Sequence, residues 1–125
     1  MEVAMLNLRK VSRNKSKTTN SPLKMMDERL KSNPAWKGSI SMLDGQAMLQ
    51  EQTPFTYLLS EGMDKYHYFL HYVGADHKVH FKNVRILYIG GVPVYRNGGG
   101  SYYNRIEDLV PSCLKCSAVT CKPLI

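Results

Sequence analysis

Thr56-Tyr57-Leu58-Leu59-Ser60-Glu61-Gly62 is the stretch whose reading decides the fold. Phe55 to Leu59 is apolar and aromatic, short for a helix and rich in strand formers. Glu61-Gly62-Met63-Asp64-Lys65 is a polar connection containing glycine, the pattern of a hairpin with a longer loop. Tyr66 to Val73 then has the aromatic and β-branched bias of a second strand. Gly74-Ala75-Asp76-His77 turns the chain, and Lys78-Val79-His80-Phe81-Lys82 reads as a third. The expectation is a three-stranded antiparallel meander.

Working outward, Ser41 is placed to cap a helix, with Asp44 three residues on as a weaker capping box. Met42, Gly45, Gln46 and Leu49 share one face of it, and Ala47, Met48 and Leu49 are expected to supply its apolar contacts. Thr53-Pro54 closes that segment. Beyond the meander, Val84 to Tyr95 is apolar and broken by Gly90-Gly91 and Pro93, hence one or two short strands. Asn97 to Ser101 is a turn. Asn104 is expected to cap a second helix, with Glu107 completing the box and Pro111 kinking or restarting it. The order is that of an α+β fold, a central antiparallel β-sheet flanked by two α-helices, with an extra N-terminal segment.

A length of 125 residues fits one domain able to bury a core unaided. Three segments are expected: a basic leader over 1–33, the compact domain over 34–116 and a tail over 117–125. The net charge of +7 is uneven, since residues 1–33 hold eight Lys or Arg against three acids, and the rest nine against seven. The leader reads as a solvated tail or a patch for acidic membrane or nucleic acid. Within it, Ser21-Pro22 is a helix start, and Leu23, Met26 and Leu30 lie on one face that could pack on the domain. The chain lacks both an apolar run of bilayer-spanning length and a secretory signal pattern. Cys113, Cys116 and Cys121 are odd in number and lack a second zinc-ligand pair, so free thiols in a reducing compartment are expected, with no metal or other cofactor. Few basic residues interleave with the aromatic run, which argues against nucleic acid. Ser60, His80 and Asp64 lack the setting of a nucleophile turn, so no enzyme is expected.

Taken in order, these segments resemble the Src homology 2 (SH2) family. Trp36-x-Gly38-x-Ile40-Ser41 is similar to its "W-x-G-x-I-S" opening, and Gly45-Gln46-x-x-Leu49 to its "A-E-x-L-L" helix. The stretch from Thr56 to Gly62 sits where the family has "T-F-L-V-R-E-S". Tyr68 to Val73 resembles the next strand, Val79-His80-Phe81-Lys82 resembles "V-K-H-Y-K", and Tyr103-Asn104-x-Ile106-x-Asp108-Leu109-Val110 resembles the last helix. The wording is closest to versions in secreted effectors of intracellular bacteria, which implies action on host signalling from the host cytosol.

The resemblance implies a monomer that recognises tyrosine-phosphorylated proteins or peptides. A phosphotyrosine carries about −1.5 to −2 charge, which a bidentate arginine answers best. The chain departs from the family here, with Ser60 at the arginine's position and Met42 where a second arginine is often found. The expected phosphotyrosine-binding residues are Ser60, Glu61, Lys65, His80 and Lys82, the last two taken as matching the family's His and Lys. The alternative is a degenerate or engineered copy acting as a scaffold or non-binding form. Little dependence on flanking sequence is expected, because the chain stops soon after Cys121-Lys122-Pro123.

Overall fold

The structure is a computed structural model that describes residues 21–115 and 120–125. The meander forms as β1 (Thr56–Glu61), β2 (His67–Val73) and β3 (Val79–Ile89). The third strand is longer than expected: it runs on through Val84 and turns back at Gly90-Gly91 into β4 (Val92–Asn97). Both glycines have positive φ, 58° and 81°, as a two-residue hairpin turn that matches strand twist requires. With β5 (Tyr102–Tyr103) and β6 (Lys122–Pro123) the sheet has six strands in the order β5-β4-β3-β2-β1-β6. All pairs are antiparallel except β1 with β6, so residues 122–123 of the C-terminal segment join the sheet.

Three helices pack on it. In α1 (Pro22–Lys31), the Ser21 hydroxyl accepts from Lys24 N–H at 3.2 Å, and proline occupies the first turn, as the local signal required. In α2 (Met42–Leu49), the Ser41 hydroxyl accepts from Asp44 N–H at 3.0 Å. The third helix, α3 (Ile106–Leu114), departs from expectation twice. Its N-cap is Arg105, which makes no side-chain capping bond, and it runs through Pro111 unbroken. Glu107 and Asp108 in its first turn favour the positive end of the helix dipole and stand in for the missing cap.

The sheet divides the interior. On one face, α1 and α3 bury Met26, Leu30, Ile106, Leu109 and Val110 against Tyr57, Leu59, Tyr68, Leu70 and Ile86. On the other, α2 places Leu49 on Leu58 and Val73. Ala47 and Met48 are exposed, so the apolar contacts of α2 come from Leu49 and from the bare backbone at Gly45. Helix α1 is part of the main core: Leu30 is fully buried, and the Tyr95 hydroxyl donates to Met26 O at 2.8 Å. Tyr68 hydroxyl also donates to Asp27. Cys113 is a free, buried thiol, but Cys121 is disulfide-bonded, which corrects the expectation of free thiols throughout.

Candidate phosphotyrosine site

Ser60 is the fifth residue of β1, one position before the strand's end, and has no exposed surface. Strand alternation turns Leu58 and Ser60 toward α2, while Tyr57, Leu59 and Glu61 face α1 and α3. The register sets Leu58 opposite His71 and Ser60 opposite Phe69. Ser60 Oγ and His71 Nε2 are 2.9 Å apart. His71 is 2 % exposed, and burial holds its imidazole below its ordinary pKa, so it is neutral at pH 7. Helix α2 crosses directly over this ring. A Cβ on Gly45 would lie 2.7 Å from His71 Nδ1, so only glycine lets the helix settle there.

A serine within hydrogen-bond reach of a histidine is also the arrangement of a nucleophile and its base. Here the hydroxyl is sealed from solvent, and among the described residues no acid side chain is bonded to His71 Nδ1. The pair therefore fills space and satisfies buried polar atoms.

Around it lie two shallow cavities. One, of about 280 Å³, is lined by Met42, Leu43, Gln46, His71 and the start of β3. The other, of about 190 Å³, lies beside the β1–β2 loop and is lined chiefly by Gly62, Met63, Asp64, His67, Phe69 and Asn83. Neither lining includes a lysine or arginine. Phe69 meets Phe81 edge-on with centroids 6.0 Å apart, and His71 at 6.1 Å. Phe81 is 54 % exposed, so this face offers an aromatic surface.

Of the five residues expected to form the site, only Ser60 is turned toward this face by the strand register, although His80 also lines the cavity of about 280 Å³. Lys82 pairs with Leu70 and His80 with Tyr72, which places both on the α3 side. There they line a cavity of about 510 Å³, with Tyr72, Asp76, Ser112, Cys113 and Lys115 among its other walls. His80 stacks on Tyr72 and pairs with Asp76 at 3.0 Å. The Asp76 carboxyl is held below its ordinary pKa by hydrogen bonds from Lys78 N–H and the His80 ring. Burial raises the Cys113 thiol to about 11, with Lys82 opposing, so it is no thiolate at neutral pH. Glu61 and Lys65 line a fourth cavity, of about 100 Å³, with Asp27 and Lys31. Lys65 Nζ lies 5.2 Å from the Tyr66 ring centroid.

That His80 and Lys82 stand on the face opposite Ser60 follows from the strand register. A one-residue slip in matching a strand moves every side chain to the other face. With Val79 held on the first letter of "V-K-H-Y-K", the family's His and Lys fall on Phe81 and Asn83, which the register turns toward Ser60's side. Sequence reasoning also missed His71 and Arg85. The alternation of β2 puts His67, Phe69 and His71 on one face, and Arg85 joins them as the partner of His67. Both were within reach of a period-2 count from Val73 and Val79.

Neither a protein-family model nor a curated protein matches the sequence. Solved structures do. The chain is similar to the SH2 domain of a CRK/CRKL homologue from Monosiga brevicollis, at 15 % identity and TM-score 0.53, over 75 % of this chain and 85 % of that one. It is similar to CED-2 at 15 % identity and TM-score 0.55, over 78 % of this chain and 61 % of that one. The described chain therefore has the SH2 fold, with a serine bonded to a buried histidine at the position that sequence resemblance assigns to the phosphate-binding arginine.

Proposed function

We propose that this chain is a phosphotyrosine-peptide recognition module whose ligand lies on the α2 face, at the loop end of β1, β2 and β3. The observation that carries the reading is the arrangement of that face. Helix α2 covers Leu58, His71 and Val73 and leaves the Phe69–Phe81 pair and the cavity beside the β1–β2 loop open. An aromatic ring would stack there. With Ser60 sealed, the phosphate must be met by loop amides and by cations further along the face.

Low selectivity for residues flanking the phosphotyrosine belongs to the same proposal. The large cavity by α3 mixes Asp76, His80, Lys82 and Lys115 with apolar walls and offers no dry anchor for one residue type. The setting we infer is a monomeric module of a bacterial effector acting in a host cell's cytosol, with the basic leader touching acidic membrane surfaces. That setting is supported by the wording of the sequence and the charge of residues 1–33.

Calorimetric titration with a phosphotyrosine peptide and its unphosphorylated twin tests the reading. Binding of the phosphorylated peptide alone, varying less than about tenfold across a panel of flanking sequences, is expected. Equal binding of the twins would overturn it.

One observation favours a second reading. Ser60 and His71 close off the place where the family carries its arginine, as a non-binding scaffold would. Absence of binding to both peptides by a folded chain would favour that reading.

A further inference from the structure

We propose that Arg85, with His67 and Arg96 beside it, is the cation that takes the phosphate of the bound phosphotyrosine. This inference rests on the function proposed above and names the group that replaces the missing arginine.

The register sets His67 opposite Arg85, and Arg85 opposite Arg96, in one row across β2, β3 and β4. The row lies on the same face as Ser60, Phe69 and Asn83, which form the neighbouring row two residues along. That step is about 7 Å along a strand. The proposed ligand face therefore runs without a break from the aromatic pair to three basic side chains.

Two features of the row call for an anion. Like charges directly opposite each other on a sheet destabilise it, and the ion pairs found among the described residues include neither Arg85 nor Arg96. Arg96 is steadied otherwise, donating from Nε to Gly100 O at 2.9 Å and from Nη2 to Gly99 O at 3.1 Å. Arg85 has no such support. Its Nε is shielded from solvent and has no hydrogen-bond acceptor, the only buried side-chain nitrogen or oxygen among the described residues left so. A buried N–H without an acceptor is unfavourable, so the Arg85 side chain gains by turning Nε outward to a phosphate oxygen, which also relieves the repulsion. A planar guanidinium can also take two oxygens of one phosphate.

His67 completes the row. Its Nδ1–H donates to Lys65 O at 3.0 Å, which leaves Nε2 for the ligand when the ring is protonated. Asp64 is an acid near the row, lining both cavities that His67 lines, the second of them together with Glu61 and Asp27. Its repulsion favours an anion seated toward Arg85 and away from the loop.

The test is phosphotyrosine-peptide binding by the unmodified chain and by Arg85→Gln, together with Arg Nε–Hε resonances of the unmodified chain during addition of phenyl phosphate. The expected results are a loss of affinity of at least about tenfold in Arg85→Gln and a selective shift of the Arg85 Nε–Hε signal. The resonance needs no variant, so a poorly folded Arg85→Gln would not remove the test. Phosphate-dependent binding with an unmoved Arg85 signal would overturn this inference and leave the proposed function standing. Failure of the unmodified chain to distinguish the phosphorylated peptide from its twin would overturn both.

Discussion

Ser60 Oγ and His71 Nε2 lie 2.9 Å apart beneath α2, and together they fill the position that sequence resemblance assigns to an arginine. The bond couples two changes. Once His71 fills the interior, a long side chain at position 60 has nowhere to go.

Restoring the family's arginine at position 60 alone should therefore fail. Ser60→Arg forces a charged side chain into a filled, buried site, and overpacking costs roughly 1–3 kcal/mol before any charge burial. The expected outcome is a clear fall in melting temperature with no gain in phosphopeptide binding. Ser60→Arg with His71→Ser, which removes the ring, should recover part of that stability and bind the phosphopeptide more tightly than the unmodified chain. Calorimetry of the three proteins checks both statements.

The same histidine gives a pH signature. Burial lowers the folded-state pKa of His71 from 6.5, so the unfolded chain binds more protons just below that value. Stability should hold steady above pH 6.5 and fall as pH drops through the interval below it. Asp76, whose carboxyl is also lowered, acts only near and below the ordinary carboxylate range and leaves that interval to His71. Urea melts at pH 7.5 and pH 5.5 should differ, and His71→Gln should shrink the difference.

Gly45→Ala reports on the helix that covers the pair. Alanine in a helix interior normally adds about 0.5–1 kcal/mol over glycine. Here the new methyl would sit 2.7 Å from His71 Nδ1, and the strain should outweigh the propensity gain. We expect a net loss of roughly 1 kcal/mol or more. Combining it with His71→Ala should reverse the sign, which a double-mutant cycle would detect.

Leu30→Ala asks whether α1 is a dispensable leader. Leu30 has no exposed surface and lies among Tyr57, Leu59 and Ile86 in the main core. Its truncation should cost about 2–5 kcal/mol in a denaturant melt, as for other core leucines. A loss below 0.5 kcal/mol, the range of surface changes, would mean that α1 does not belong to the core.

What could be read from the sequence was local. The caps at Ser21 and Ser41 sit within a few residues of the amides they accept from, and the meander announces itself by composition and the loop glycine. The helix at Ile106 shows the limit, because Asn104 and Arg105 both precede a good helical face and only backbone geometry selects Arg105. The site depended on longer-range facts. Which face His80 and Lys82 occupy follows from the β2–β3 register, and a slip of one residue reverses it. The role of His71 depends on its pairing with Leu58 and on a glycine in α2, neither of which any contiguous motif contains.

The central claim is that phosphate recognition belongs to the α2 face. Backbone and side-chain chemical-shift mapping of the isotopically labelled chain, as a phosphotyrosine peptide is added, tests it most directly. The account predicts that the phosphate-dependent shifts, those absent with the unphosphorylated twin, fall on His67, Phe69, Phe81, Asn83 and Arg85. Shifts concentrated instead on His80, Lys82 and Lys115, around the cavity by α3, would place the phosphate on the opposite side of the sheet and contradict it.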